Sequence, residues 1–177
     1  MEYLFPSEKW IAAFKEKINS NPNYRQSGAK WEHGTIALVM QFDDELLSRV
    51  KSDPTTAMEL PAGESAVGIW LDLYHGECLE AKEVGWDQAQ KAKFIIRSDY
   101  SNWKSVLRKD LEPVKGMMQG KLKLKGDLPT IVRFVKAAQD LVDSATMVET
   151  KFIDELGCGI SESTNEVDGL RQICERH

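Results

Sequence analysis

Residues 31–42, WEHGTIALVMQF, restrict this chain more than any other segment. In an extended strand alternate side chains share a face, so Ile36, Leu38, Met40 and Phe42 stand together while Ala37 and Val39 make the opposite face partly apolar. Such a run predicts a central or well-covered strand. The rest of the chain has to supply what covers it.

Helical and extended patterns alternate around this strand. Upstream, Trp10, Ile11, Phe14 and Ile18 fall on one side of a helix, with Ser7 placed to cap it and Pro22 beyond its end. Residues 43–65 turn charged and carry Pro54, Pro61 and Gly63, while Leu46, Leu47 and Val50 permit a short amphipathic helix inside that connection. AVGIWLDLYHGECLEAKEV reads as two strands meeting near His75 and Gly76, with Val67, Ile69, Leu71 and Leu73 alternating along the first.

After a polar turn at 85–90, KFIIRSDY gives another strand, and a helical pattern with Trp103, Val106, Leu107 and Leu111 starts at Ser101. Beyond Pro113, VKGMMQG is short and Met-rich. GKLKLKGD then sets Lys121, Lys123 and Lys125 against Leu122 and Leu124, so one face of that strand is wet. Asp127 is placed to cap the longest helix, carrying Leu128, Ile131, Val132, Val135, Ala138, Leu141 and Val142, with Pro129 early enough to be tolerated. Residues 145–177 hold a last amphipathic cluster, Val148, Phe152, Ile153 and Leu156, before a polar, Gly-containing stretch and a charged end.

The chain as a whole bounds the function. Its 177 residues suit one domain, and 42% hydrophobic residues with 29% charged and five Trp describe a globular protein. The N-terminal MEYLFPSEKW does not read as a secretory signal, and no apolar stretch approaches the length of a spanning helix. Cys78, Cys158 and Cys174 are odd in number and lack CxxC spacing, which points to reduced thiols in the cytoplasm. A net charge of -5 argues against a nucleic-acid partner.

The order of these elements, together with QGKLKLKGDLPTIVRFVKAAQDLV, resembles the sterol carrier protein 2 family of lipid-binding domains. Gly120, Lys121, Leu122, Gly126 and Asp127 fall within that family's G.lk..Gd strand pattern, and the resemblance is closest within residues 93–142 and looser over residues 7–143. The resemblance implies an α+β fold: a five-stranded, mostly antiparallel sheet covered by helices on one face, enclosing an apolar tunnel. It implies a lipid-binding domain over residues 1–144, and residues 145–177 are expected as a C-terminal amphipathic helical extension packing on that domain or fraying from it.

The implied function is non-catalytic binding, with or without transfer, of a fatty acid, fatty acyl-CoA or sterol-like lipid, with no cofactor, no catalytic residue and no metal. The candidate ligand-binding residues are Ile36, Leu38, Met40, Ile69, Leu71, Phe94, Ile96, Trp103, Leu107, Met117, Met118, Val132 and Val135. Apolar lining and apolar core read alike in a sequence, so each is equally open to an ordinary core role. A monomer or homodimer is expected. The alternatives are an accessory or interaction domain of an enzyme system, or a dimerisation module with a vestigial pocket.

Other chemistry reads weakly. Asp72, His75, Glu77 and Cys78 are potential metal ligands gathered at a turn, but no second cluster stands at zinc-like spacing. His33 has no nucleophile motif beside it. Gly157 and Gly159 open a GxG, but residue 162 is Glu, no strand precedes, and neither a P-loop nor a GxSxG is present. Lys121, Lys123 and Lys125 suit protection of an exposed strand edge, and secondarily a transient contact with an anionic membrane surface.

Overall fold

A computed structural model describes residues 2–52, 60 and 63–156. Pro54, Pro61, Cys158, Cys174 and the GCGIS segment therefore lie outside the described residues. In chain order the elements are β1 (Tyr3–Phe5), α1 (Glu8–Ser20), α2 (Pro22–Ser27), β2 (Thr35–Gln41), α3 (Asp44–Ser52), β3 (Ala66–Tyr74) and β4 (Glu77–Val84). They continue with α4 (Trp86–Ala89), β5 (Phe94–Asp99), α5 (Tyr100–Leu107), α6 (Pro113–Met118), β6 (Lys123–Lys125), α7 (Leu128–Arg133), α8 (Val135–Thr146) and β7 (Thr150–Phe152).

Among the described residues five strands form one sheet in the order β4-β3-β2-β5-β6. Three of its neighbouring pairs are antiparallel, and β2 with β5 is parallel. The doubly apolar strand β2 sits in the middle. Ile36, Leu38 and Met40 pair with Leu71, Ile69 and Val67 on one side and with Phe94, Ile96 and Ser98 on the other. This face carries the main core, together with side chains from α1, α2, α5, α7 and α8.

The second face is covered differently. Because β5 lies parallel to β2 and on the far side of it from β4, the β4–β5 connection has to cross the sheet. It does so as α4, whose Ala89 packs with Ala37, Val39, Ala66, Val84 and Ile95, flanked by Trp70 and Trp86. Gly68 admits this close approach: a Cβ there would stand 3.0 Å from Val84 and 3.4 Å from Ala89. A short helix thus shields the small side chains of the second face, while the larger helices share the first.

Local signals set the element ends. Ser7 accepts from the Trp10 amide and caps α1, and Asp127 accepts from the Thr130 amide and caps α7. The β3–β4 hairpin turns at His75 and Gly76, and at Gly76 an added Cβ would meet the Arg25 carbonyl oxygen at 2.4 Å. The single long helix expected from Asp127 onward is two: α7 ends at Phe134, whose φ of -109° and ψ of 29° leave the helical region, and α8 restarts from there. Phe134 is held at the break by edge contacts with Trp31, ring centres 5.0 Å apart, and with His33 at 5.6 Å.

The described part of the extension expected after residue 144 contains a strand and a 3-10 turn beyond the end of α8. β7 pairs in parallel with β1, an association of two three-residue strands outside the main sheet. Tyr100 ties both to the body. Its hydroxyl donates to the Phe5 carbonyl at 2.8 Å and accepts from the Ile153 amide at 3.0 Å, and burial pushes its pKa well above the usual phenol range. Lys104 adds an ion pair to Asp154 at 2.8 Å and another to Glu155 at 2.9 Å. Among the described residues no helix is long and apolar enough to cross a membrane.

Replacing Tyr100 by Phe removes the one hydroxyl that satisfies both of those buried backbone groups, so Tyr100→Phe is expected to lose about 1–3 kcal/mol of stability. Urea denaturation should show this as a lower midpoint with an unchanged slope. An unchanged midpoint would mean that β1 and β7 are held without this hydroxyl.

Candidate functional site

Between the first face of the sheet and the helices lies an apolar cavity of about 110 Å3. Its floor is the inward register of the sheet: Ile36, Leu38 and Met40 from β2, Ile69, Leu71 and Leu73 from β3, and Ile96 from β5. Trp10 and Phe14 enter from α1, Tyr24 from α2, Trp103, Val106 and Leu107 from α5, and Met117 from α6. Ile131 and Phe134 stand at the α7–α8 break, and Ala137, Ala138, Leu141, Val142 and Ala145 complete the wall from α8.

The polar atoms of the large rings in this wall are directed elsewhere. The indole N–H of Trp10 donates to Thr150 Oγ1 at 2.8 Å, that of Trp31 to the Gly34 carbonyl at 3.1 Å and that of Trp103 to the Val39 carbonyl at 2.8 Å. What faces the cavity is therefore ring carbon. Burial, with a smaller contribution from Cys78, pushes the Tyr24 phenol well above its ordinary pKa and keeps it neutral. An uncharged space of this kind favours hydrocarbon and offers an ionic group no partner.

Burial along the wall is uneven. Trp10, Met40, Ile69 and Leu71 are essentially inaccessible, whereas Leu107, Pro113, Met117, Ala138, Leu141 and Val142 are only half-buried. The cavity therefore approaches solvent between the end of α5, α6 and the outer side of α8. Two polar links join the same segments: Gln139 Nε2 donates to Glu112 Oε1 at 2.7 Å, and Lys109 pairs with Asp143 at 2.6 Å.

Nine of the thirteen candidates from the sequence lie on this wall: Ile36, Leu38, Met40, Ile69, Leu71, Ile96, Trp103, Leu107 and Met117. Four do not. Phe94 is buried against Trp31 and beneath Gly126, where an added Cβ would stand 2.6 Å from its ring. Met118 follows Met117 at the end of α6 and points outward, 68% exposed. Val132 and Val135 are exposed because each lies one position on from an inward residue, Ile131 or Phe134, and so points to another side of the helix, while Ile131, Phe134, Ala138 and Leu141 share the inward side.

The lining residues missed in the sequence carried a usable signal. Trp10 and Phe14 belong to the apolar stripe that marked α1, and Leu141 and Val142 to the stripe that marked the closing helix. Taking the inward stripe of every helix, rather than the sheet face alone, would have included them.

The remaining chemistry disperses. Asp72, His75, Glu77 and Cys78 do not converge, and among the described residues no group of three or more His, Cys, Asp or Glu side chains is placed to hold a metal. His75 bonds Glu32 through Nε2, and the buried Cys78 thiol donates to the Glu80 carbonyl at 3.3 Å. Burial is the main reason the Cys78 pKa is pushed up to about 11. His33 packs edge-on against Trp31 and Phe134.

No curated protein matches this chain by sequence. A crystal structure of sterol carrier protein 2 superposes with a TM-score of 0.63 at 33% identity, covering 80% of this chain and 97% of its own. The solution structure of a conserved hypothetical protein of Thermus thermophilus gives 0.67 at 33% identity, covering 85% of this chain and 93% of its own. The family model of the SCP-2 sterol transfer family matches residues 43–139, from just before α3 into α8, and so takes in most of the sheet and much of the cavity wall. With that match over more than half of its length, this chain belongs to the SCP-2 sterol transfer family.

Proposed function

We propose that this protein binds a lipid with a long apolar body, a fatty acyl chain or a sterol-like ring system, in the cavity between sheet and helices, and performs no chemistry on it. The observation that carries this reading is the composition of the wall, which is aliphatic and aromatic with its indole N–H groups bonded elsewhere. Such a wall holds a ligand by removing apolar surface from water, at about 25 cal/mol for each square ångström. It contains no nucleophile beside a base. Membership of a lipid-binding family agrees with the same reading.

A cavity of about 110 Å3 is smaller than the roughly 300 Å3 at which drug-sized pockets begin, so uptake requires the wall to part. The half-buried contacts of Leu107, Met117, Leu141 and Val142 form the part of the wall that separates most easily. Met117 can repack around different shapes because its thioether chain is unbranched. The polar links Glu112–Gln139 and Lys109–Asp143 span this region at the surface, where an ion pair contributes about 0–1 kcal/mol and resists opening only weakly.

Three outcomes follow from this reading. Affinity for a saturated fatty acid series should rise about fourfold per added methylene, the equivalent of about 0.8 kcal/mol, until the wall can open no further. Displacement of a fluorescent fatty acid would measure it, and affinity that ignores chain length would point away from an apolar cavity.

Ala138→Phe fills the cavity from its half-buried side and should abolish uptake while shifting stability by no more than about 1–3 kcal/mol. Leu38→Phe does the same from the sheet side, so failure of one variant to fold leaves the other. Unimpaired uptake by both would sink the proposal.

Gln139→Ala combined with Asp143→Asn loosens the surface links and should quicken fatty acid uptake in stopped-flow fluorescence, with thermal stability almost unchanged. Equal rates in variant and wild type would place the opening elsewhere on the wall.

A further inference from the structure

On the face of the sheet turned away from the apolar cavity, at the carboxyl ends of β2 and β5, a polar groove of about 510 Å3 is bounded by Arg97, Lys121 and Lys123. The register fixes which way these side chains point. Ile96 lines the cavity, so the next residue, Arg97, projects from the other face. Arg97 stands directly opposite Lys123 across the β5–β6 pair. Like charges facing each other in a sheet destabilise it. Among the described residues none of the three cations makes an ion pair.

Protection of a strand edge explains Lys123, since β6 is the last strand of the sheet, but it does not explain Arg97. Arg97 belongs to β5, which has neighbours on both sides. Its guanidinium is also held in place: it donates to Gln41 Oε1 at 2.5 Å and lies over the Trp86 ring at 4.7 Å. Gln41 is itself anchored, donating through Nε2 to Ser65 Oγ at 2.6 Å and to the Ser65 carbonyl at 3.1 Å. The other guanidinium donors remain free for a planar, charged acceptor.

The backbone of Lys121 is fixed in the same manner. Its carbonyl accepts from Ser98 Oγ at 2.6 Å and from Asn102 Nδ2 at 3.3 Å, which holds the Lys121 backbone at the rim of the groove. One carboxylate, Asp99, also borders the groove. Three cations against one carboxylate leave two positive charges in a protein whose net charge is -5. Two charges match a phosphate monoester, which carries about -1.5 to -2 at neutral pH.

We propose that this groove is an anion site that takes a phosphate group, with the Arg97 guanidinium as the oriented fork and Lys121 and Lys123 as the flanking charges. The site goes beyond lipid binding in the cavity and stands independently of it, because Arg97 and Lys123 project from the face opposite the one whose Ile96 lines the cavity. The phosphate comes either from the headgroup of a membrane lipid or from a soluble monoester.

The test uses the full chain and three variants, Arg97→Gln, Lys123→Gln and Arg97→Lys, each checked by thermal melting. Titration with inorganic phosphate is followed by calorimetry, and binding to phosphatidylcholine vesicles with and without phosphatidic acid by co-sedimentation. Arg97→Gln and Lys123→Gln should each weaken phosphate binding about tenfold or more, the loss of charge-assisted hydrogen bonds. Arg97→Lys should recover part of the affinity, since it keeps the charge without the fork. Fatty acid uptake measured in parallel should be the same in all four proteins, which separates this site from the cavity.

Variant-sensitive binding to phosphatidic acid vesicles beyond that to inorganic phosphate identifies a lipid headgroup. Variant-sensitive binding to inorganic phosphate alone identifies a soluble monoester. No phosphate or vesicle binding by the wild type overturns the proposal, and so does binding that ignores Arg97→Gln and Lys123→Gln. Self-association of Lys123→Gln with unchanged phosphate binding also overturns it, leaving the lysine as edge protection.

Discussion

Parallel pairing of β2 with β5 is the constraint on which the rest of this fold depends. All other neighbours in the sheet are antiparallel, and the β3–β4 hairpin needs only a tight turn. A parallel neighbour cannot be reached by a turn, because the chain must return to the same end of the sheet before it starts the next strand. The connection through α4 makes that return across the second face, over Ala37, Val39 and Gly68, where small side chains let it lie close. With that face shielded by a helix of four residues, the large side chains of β2, β3 and β5 are left for the helices on the other side. The cavity forms there because broad rings and aliphatic chains from several helices meet over one sheet without filling the space completely.

The same pairing explains why both sites lie where they do. Two adjacent strands running the same way end together, so Gln41 and Asp99 come side by side and the chain departs from β5 directly into α5. Alternation then divides the chemistry of β5 between the two faces. Ile96 looks into the cavity while Arg97 looks into the groove. A register slip of one residue would exchange them, burying a guanidinium among indole rings and exposing an isoleucine. The apolar face therefore fixes the polar one: hydrophobic burial of Phe94 and Ile96 sets the register that presents Arg97 opposite Lys123.

Much of this was legible in the sequence, for reasons that separate by length scale. Strands β2 and β3 have alternation long enough to be read, so which of their residues share a face follows from the sequence. Ser7 and Asp127 are cap residues whose role depends on a few neighbouring atoms, and each makes the expected bond. The strands β1 and β7 have three residues each, too few for periodicity, and they pair across almost the whole chain. The break at Phe134 was also hidden, since residues 128–142 keep helical spacing and carry no Gly or Pro after Pro129 that would announce an interruption. Packing against Trp31 and His33 holds Phe134 there, and it puts Ile131 and Phe134, not the adjacent Val132 and Val135, on the side of the helix that faces the sheet.

The aromatic residues show how an apolar cavity is kept open without leaving buried donors unsatisfied. An indole needs a partner for its N–H when buried, and each of Trp10, Trp31 and Trp103 finds one away from the cavity, on β7, the turn before β2, and β2 itself. Each bond fixes a ring while turning its polar atom out of the wall, and those of Trp10 and Trp103 also hold distant segments together. Trp10 reaches Thr150, and the neighbouring Phe5, Tyr100 and Phe152 rings carry the contact on to α5. The end of the cavity built on α1 and the sheet is thereby tied by buried rings and hydrogen bonds, whereas the end between α6 and α8 is closed by half-buried aliphatic side chains and exposed polar pairs. A cavity tied at one end and weakly closed at the other is what the proposed uptake of a long apolar molecule requires, since the sheet that shapes it need not move.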